Sequence, residues 1–370
     1  MNNPVGGTGV VGLTVGASDV LADYGLNMTQ GVTPISHDIY DLHMLIFWIC
    51  VVIGIAVFGT MIYSIFYHRK SKSAVAVDFH ESTTVEIIWT TIPFVILVAM
   101  AVPATKTLLA LEDTRNAELT IKITGYQWKW KYDYLEDDIS FFSSLSTDRD
   151  EIANKAAKGE NYLLEVDNPV VVPVNKKIRF LMTSADVIHS WWVPDLAVKQ
   201  DAIPGFINDS WAEIKTPGVY RGQCAELCGR DHGFMPIVVI AKTEDEYREW
   251  VVARKAGQVA KAGASEKVWT KEDLMAYGEK TYNTACAACH KVNGQGTPGA
   301  FPAIAGSPIA TGDVAGHINI VMVGKAGTAM QAFGEQLGDV DIAAVITYQR
   351  NAFGNDTGDV IQPSDIKAAR

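Results

Sequence analysis

Two long runs, residues 44–66, almost wholly apolar, and 85–111, nearly so, constrain this chain more than any other feature. Each meets the roughly 20 residues a helix needs to cross a bilayer. Only two segments of the 370-residue chain qualify, which predicts a membrane hairpin carrying soluble domains. Between them stands His68-Arg69-Lys70-Ser71-Lys72. Lys and Arg beside membrane helices are retained on the cytoplasmic side, so both termini are expected to face outward. The length of the runs and the basic connector weigh against a pair of buried core helices. Residues 1–36 contain no basic residue and no compact apolar stretch, so they do not read as a cleavable signal. Their Gly-rich start reads as an arm or a processed tail.

An outward compartment changes the meaning of cysteine, because disulfides persist there. Of five cysteines, Cys50 lies within the first apolar run and reads as a small apolar residue. Two pairs remain, Cys224 with Cys228 and Cys286 with Cys289. The first pair belongs to a stretch that gathers Cys224, Glu226, Cys228, His232 and Met235, with His189 upstream. Soft sulfur together with imidazole favours copper over hard cations. The stretch leaves an extended segment, residues 219–223, and enters a β-branched one, residues 236–240, so the ligands are expected between two strands. Further short apolar runs at 119–124, 162–166, 170–174 and 177–182 make this region mostly β, a Greek-key barrel or sandwich. His189 by itself is an ordinary loop histidine; beside the cluster it supplies a second imidazole.

The second pair stands in Cys286-Ala287-Ala288-Cys289-His290, the C-x-x-C-H signature of covalent c-type haem attachment. Two thiols at this spacing form thioethers to the haem vinyl groups, and the next imidazole ligates iron. No second C-x-x-C follows, which argues against a zinc site. Met is the commonest sixth ligand in electron-transfer haems. Met330 lies in a glycine-flanked loop, whereas Met322 falls inside the helical run 314–323, so Met330 is the expected ligand. Residues 271–285 and 339–351 have helical apolar spacing, and 294–306 is a Gly/Pro-rich loop. A small all-helical haem domain is expected, joined through a surface helix at 244–254 and a semi-flexible linker.

Taken together, these motifs resemble subunit II of the haem-copper cytochrome c oxidases. The hairpin, the outward β domain, Cys-x-Glu-x-Cys-x3-His-x2-Met and the upstream Ser-Ala-Asp-Val-Ile-His-Ser-Trp carry the resemblance over about residues 38–240. The carboxyl end resembles the bacterial branch with its own fused cytochrome c. The resemblance implies a multi-domain membrane protein: a two-helix transmembrane hairpin, a cupredoxin-like Greek-key β-barrel and an all-α class I cytochrome c domain. The expected divisions are an extracytoplasmic arm at 1–40, the hairpin at 41–112, the copper domain at 113–242, a linker at 243–267 and the haem domain at 268–370.

The resemblance further implies a dinuclear copper centre, CuA, bridged by the thiolates of Cys224 and Cys228. His189 and His232 would each bind one copper, with Met235 and the backbone carbonyl of Glu226 as weaker ligands. The Glu226 side chain matches a magnesium ligand at the interface with subunit I; the alternative is a solvated carboxylate. In Gly125-Tyr126-Gln127-Trp128-Lys129-Trp130-Lys131-Tyr132-Asp133-Tyr134, strand alternation would put Trp128, Trp130, Tyr132 and Tyr134 on one face. Trp128 matches the family's exposed electron-accepting residue, while Trp130 reads as core. Glu136, Asp137 and Asp138 either steer a basic cytochrome or form a plain solvated loop. Glu86, at the cytoplasmic start of the second apolar run, matches a carboxylate at the mouth of a proton channel; an interfacial charge is the alternative.

The implied function is the subunit through which electrons enter a terminal oxidase of the bacterial inner membrane. Electrons from cytochrome c would pass through haem c and CuA to subunit I, which holds two haems and CuB and reduces oxygen with proton pumping. Subunit III and membrane lipid are further expected partners; nucleic acid is not. Two alternatives stay open: a CuA-bearing subunit of a nitric oxide reductase, and a membrane-anchored copper-delivery protein. Seven basic against ten acidic side chains in residues 268–370 show that the haem domain is not a basic cytochrome.

Overall fold

A computed structural model describes residues 26–72 and 80–370, with the side chains of 261–262 excepted. The Gly-rich amino-terminal start lies outside the described residues. The first apolar run sits within helix α1 (Pro34–Tyr67) and the second within α2 (Thr83–Leu111). At about 1.5 Å per residue, α1 is roughly 51 Å long, well beyond a hydrocarbon core of about 30 Å. Their most apolar windows reach mean hydropathies of 2.7 and 2.2, and none of either window is buried within the chain. That exposure suits hydrocarbon and not water.

α1 starts on a reciprocal cap: Ser36 N donates to Thr33 Oγ1 and Thr33 N donates to Ser36 Oγ, both at 3.0 Å. The same end is bonded to the β domain, because Val32 N donates to Asp195 O at 2.8 Å and Thr33 Oγ1 donates to Leu196 O at 3.2 Å. Where the chain leaves α2, Trp211 Nε1 donates to Ala110 O at 3.1 Å. Both membrane helices are therefore tied directly to the soluble β layer.

That layer, in a first compact unit running up to Glu136 and from Ser143 to Thr243, uses strands β1 (Leu119–Tyr126), β2 (Lys129–Tyr134), β4 (Val170–Pro173), β5 (Lys177–Ser184), β6 (His189–Val193), β7 (Val198–Ala202), β8 (Asn208–Glu213), β9 (Gly218–Cys224) and β10 (Ile237–Lys242); β3 (Ile139–Ser143) falls almost wholly in the second unit, and a one-turn helix α3 (Arg149–Ile152) follows it in the chain. Within the first unit one sheet runs β2-β1-β5-β8 and the other β4-β10-β9-β6-β7. β1 is parallel to β5 and β4 to β10, while the remaining pairs are antiparallel. This mixed, crossing connectivity makes a cupredoxin-like sandwich.

Strict alternation in β2 buries Trp130, Tyr132 and Tyr134. Each aromatic meets a partner for its polar end. Tyr134 OH donates to Val171 O at 2.8 Å and accepts from Val171 N at 2.9 Å, and Trp191 Nε1 donates to Tyr132 OH at 3.2 Å. These bonds stitch one sheet to the other. Trp128 departs from the expected alternation: it sits with Gln127 in the turn between β1 and β2, outside the buried face. The expected strand at 162–166 is also absent. Leu163 takes a positive φ of 62°, and only Val166 forms an isolated bridge, to Leu145.

A second compact unit comprises Asp137–Phe142 and Glu244–Arg370. The segment expected to be a short helix and a semi-flexible linker is one continuous helix, α4 (Glu244–Ser265). Its Ala, Lys and Glu content favours helix, and Glu244, Asp245 and Glu246 complement the amino-terminal dipole. Tyr247 OH donates to Asp137 Oδ2 at 2.7 Å, and the Arg254 guanidinium lies 4.4 Å from the Phe141 ring centroid. Those contacts fix the first half of the helix within its unit.

The remainder is all helical: α5 (Lys271–Ala285), α6 (Ala287–His290), α7 (Pro308–Thr311), α8 (Val314–Val323), α9 (Asp339–Asn351) and α10 (Pro363–Ala369). α9 buries eight residues around its circumference, Ile342 through Thr347 with Gln349 and Arg350, so it forms the axis of the unit. α5 crosses it at Gly278, where an added Cβ would lie 2.1 Å from Ala344 O. The buried Arg350 guanidinium donates to Ala310 O at 3.1 Å, to Gly312 O at 2.8 Å and to Asp359.

Candidate functional site

The sulfur-rich stretch occupies the turn between β9 and β10, and His189 opens β6, the neighbour of β9. Trp191 of β6 pairs with Cys224 of β9, which draws the two segments together. The result is a compact set of donor atoms. The sulfurs of Cys224 and Cys228 are 3.8 Å apart. His189 Nδ1 is 3.9 Å from Cys224 Sγ, and His232 Nδ1 is 3.5 Å from Cys228 Sγ. Met235 Sδ lies 3.5 Å from Cys228 Sγ, and Glu226 O lies 3.4 Å from Cys224 Sγ. His189, Cys224, Cys228 and Met235 are buried, His232 is half-buried, and the Glu226 side chain is exposed.

The arrangement has a two-fold character: one imidazole stands beside each sulfur. A carboxylate only accepts hydrogen bonds, so His189 Nε2 must be the donor to Asp186 Oδ1 at 2.9 Å. That leaves the lone pair on Nδ1, the nitrogen facing Cys224. Burial alone would lower the His189 pKa, but the bonds to Asp186 and Cys224 outweigh it and raise the net value. Burial would likewise raise Asp186; donors from His189, Val187 and Gln127 win, and it is lowered. Asp186 was not legible as the anchor from composition, although it lies three residues before the histidine in the same loop. Gly125 is required beneath this ring, since an added Cβ would stand 2.8 Å from His189 Cδ2.

The two thiols behave as a pair. The hydrogen bond from Cys228 holds Cys224 well below the usual thiol range, with His189 contributing, whereas Cys228 is pushed upward by the proton it shares with Cys224 and by burial. A second negative charge at this separation needs a cation to offset it. The donor set of thiolate, imidazole, thioether and carbonyl fits soft, borderline copper and suits no hard cation.

The turn residues seal the cluster from above. Gln127 Nε2 and Trp128 Nε1 both donate to Cys228 O, at 2.8 and 3.2 Å. Trp130 Nε1 donates to Met235 O at 3.2 Å from the buried side. Half-buried Trp128 thus touches the sulfur-bearing backbone directly, while the Arg230 guanidinium lies 5.8 Å from its ring centroid. Glu86 is in the first turn of α2 and exposed.

In the helical unit Cys286, Cys289 and His290 share one turn, with Cys289 N and His290 N both donating to Cys286 O at 3.2 and 3.0 Å. His290 Nδ1 donates to Pro302 O at 2.9 Å, leaving Nε2 as the lone-pair nitrogen. Cys286, Met330 and Met322 are all half-buried against the same apolar cluster. Met330 lies in the loop after α8, whereas Met322 belongs to α8 itself. Two adjacent thiols, an oriented imidazole and a loop thioether fit covalent haem.

Fold and site together define a membrane-anchored cupredoxin-like protein with a C-x-x-C-H domain and a sulfur-imidazole cluster able to hold a metal. Family models place it further. Residues 22–107 match the transmembrane domain of cytochrome c oxidase subunit II, 119–242 match its periplasmic domain, and 273–348 match subunit III of cbb3-type cytochrome c oxidase. A probable cytochrome c oxidase subunit 2 of Rickettsia bellii is 36% identical over 264 residues, covering 70% of this chain and 96% of that protein. Cytochrome c oxidase subunit 2 of Arabidopsis thaliana is 38% identical over 251 residues, covering 67% and 96%. The crystal structure of the periplasmic domain of subunit II of cytochrome oxidase from Bradyrhizobium japonicum is 42% identical, with a TM-score of 0.35 over 39% of this chain and 98% of that one. The chain belongs to the cytochrome c oxidase subunit II family, with a cytochrome c domain fused at its carboxyl end. It is a membrane protein and an electron-accepting subunit, and its family implies CuA and haem c.

Proposed function

We propose that this chain takes electrons from a cytochrome c and delivers them to subunit I of a proton-translocating cytochrome c oxidase in the bacterial inner membrane. The observation that carries the reading is the symmetric cluster: two sulfurs 3.8 Å apart, each flanked by one imidazole Nδ1. Cys224 and Cys228 would hold copper through their thiolates, His189 and His232 through one imidazole nitrogen each, and Met235 and Glu226 O would supply weaker donors. Shared between two coppers, one electron changes each bond little, so the centre supplies one-electron transfer with small rearrangement. The residues around it hold that geometry: Asp186 orients His189, and Gln127 and Trp128 pin the Cys228 carbonyl.

In the helical unit Cys286 and Cys289 would hold haem c through thioethers, and His290 and Met330 would ligate its iron. Trp128 is the proposed point of electron arrival from an external donor, given its half-buried ring and its contact with Cys228 O. The exposed Glu226 carboxylate is available to a magnesium ion at the subunit I interface. Glu86 is proposed at the mouth of a proton path into subunit I, the basic connector placing that end of α2 in the cytoplasm. Both termini and both metal units then face the periplasm, and subunit III completes the assembly.

Purification with the partner subunits and an oxygen-uptake assay with reduced cytochrome c test the reading. Oxygen uptake that disappears in Cys228→Ser is expected. Consumption of nitric oxide without oxygen uptake would instead establish a nitric oxide reductase, and copper released to an acceptor without turnover would establish a delivery protein.

A further inference from the structure

Two buried polar side chains in the helical unit have no part in the scheme above. His317 of α8 and Gln349 of α9 are each 4% exposed, although they lie among apolar residues of α5, α8 and α9. His317 Nε2 meets Gln349 Oε1 at 2.9 Å, and Gln349 Nε2 points to Cys286 Sγ at 3.8 Å. His317 Nδ1 has no hydrogen-bond partner among the described residues. An apolar pair would fill this space without desolvating polar groups, which costs about 1–3 kcal/mol for each group left unmet.

The chemistry of the three groups fixes their order. Burial, with the nearby Arg350 cation adding to it, pushes the His317 pKa down to about 4 in spite of the Gln349 bond. A neutral imidazole has one N–H, and the carbonyl oxygen of Gln349 can only accept. The proton therefore resides on Nε2, and the amide is turned so that its NH2 faces Cys286. If Gln349 lost the His317 bond, nothing in this contact would keep the amide from rotating.

We propose that His317 and Gln349 are positioning residues for the haem: His317 orients the Gln349 amide so that its N–H dipole is held against the Cys286 sulfur. The inference rests on Cys286 carrying haem. A positive dipole end fixed beside the thioether at the edge of the ring favours the reduced state, because the added electron is stabilised by it. Hydrogen bonding to the groups that hold the haem is one of the means by which a protein sets its potential. Removing the N–H should lower the reduced fraction.

The test uses the intact chain in its purified complex, first measuring covalently attached haem by mass and then titrating the haem spectrum against potential. Gln349→Leu is expected to lower the reduced-to-oxidised ratio at the wild-type midpoint about threefold, which is about 28 mV at 59 mV per tenfold. His317→Phe should shift it the same way. His317→Gln, which restores a donor to Gln349 Oε1, should return it toward wild type, with the copper spectrum unchanged throughout. A wild-type midpoint in Gln349→Leu with haem attached overturns the proposal, and so does an equal midpoint in His317→Phe and His317→Gln. Should Gln349→Leu fail to retain haem, the two His317 variants decide alone. Absence of thioether-bound haem from the wild-type chain would refute the haem assignment itself, a different result from an unshifted midpoint.

Discussion

Asp186 Oδ1 accepts a hydrogen bond from His189 Nε2 at 2.9 Å, and on the opposite side of the ring Nδ1 faces Cys224 Sγ at 3.9 Å. The carboxylate thus decides both which nitrogen holds the lone pair and where it points. Asp186→Ala should reduce copper retention about 10–100-fold in a chelator challenge, the usual cost of losing such an anchor. Asp186→Asn, which keeps an acceptor oxygen, should lose much less. Equal retention in Ala and wild type would show that packing alone orients the ring.

Gly125 tests the same ring from its other neighbour. An added Cβ would lie 2.8 Å from His189 Cδ2 in a buried, fully packed site, and overpacking of this kind costs about 1–3 kcal/mol. Gly125→Ala should leave the β-sheet circular dichroism intact while copper binding weakens at least several-fold. Unaltered copper affinity would mean that the imidazole moves without consequence.

The haem assignment is tested by a pair of variants. Met330→Ala should abolish the low-spin His/Met absorption spectrum, and Met322→Leu should preserve it. The reverse outcome would transfer the ligand role to α8.

His317 predicts a pH dependence with a definite sign. Its folded pKa of about 4 lies below the ordinary 6.5, so below pH 6.5 the unfolded chain binds a proton that the folded chain resists. Stability of the helical unit should be undiminished above pH 6.5 and fall as pH drops toward 4, by about 3 kcal/mol at most. Denaturant midpoints followed through the haem absorbance at several pH values measure this. His317→Phe should flatten the profile over that window; an unchanged slope would assign the dependence to other groups.

Much of this architecture was legible in the sequence where one strong periodicity acts alone. The helices at 271–285, 314–323 and 339–351 appear at the expected bounds, since apolar spacing and caps agree there. The region 244–265 was harder, because Ala, Lys, Gly and Glu serve both tethers and helices. Packing of Tyr247 and Arg254 on Asp137 and Phe141, more than a hundred residues away, decides for helix in its first half. The Tyr162 to Val166 run failed for a related reason: a short apolar run says nothing of a left-handed residue at Leu163. In the sulfur-imidazole cluster, spacing alone pointed to the residues whose donor atoms the fold brings together. Asp186 was not, because any nearby acceptor could anchor a histidine until the backbone brings one within reach.

Copper content together with the EPR spectrum of the purified complex tests the central claim most directly. Two coppers per chain and a hyperfine pattern from one electron shared equally between two nuclei are expected, with both lost in Cys228→Ser. One copper per chain with the four-line pattern of a mononuclear blue-copper site would contradict the account.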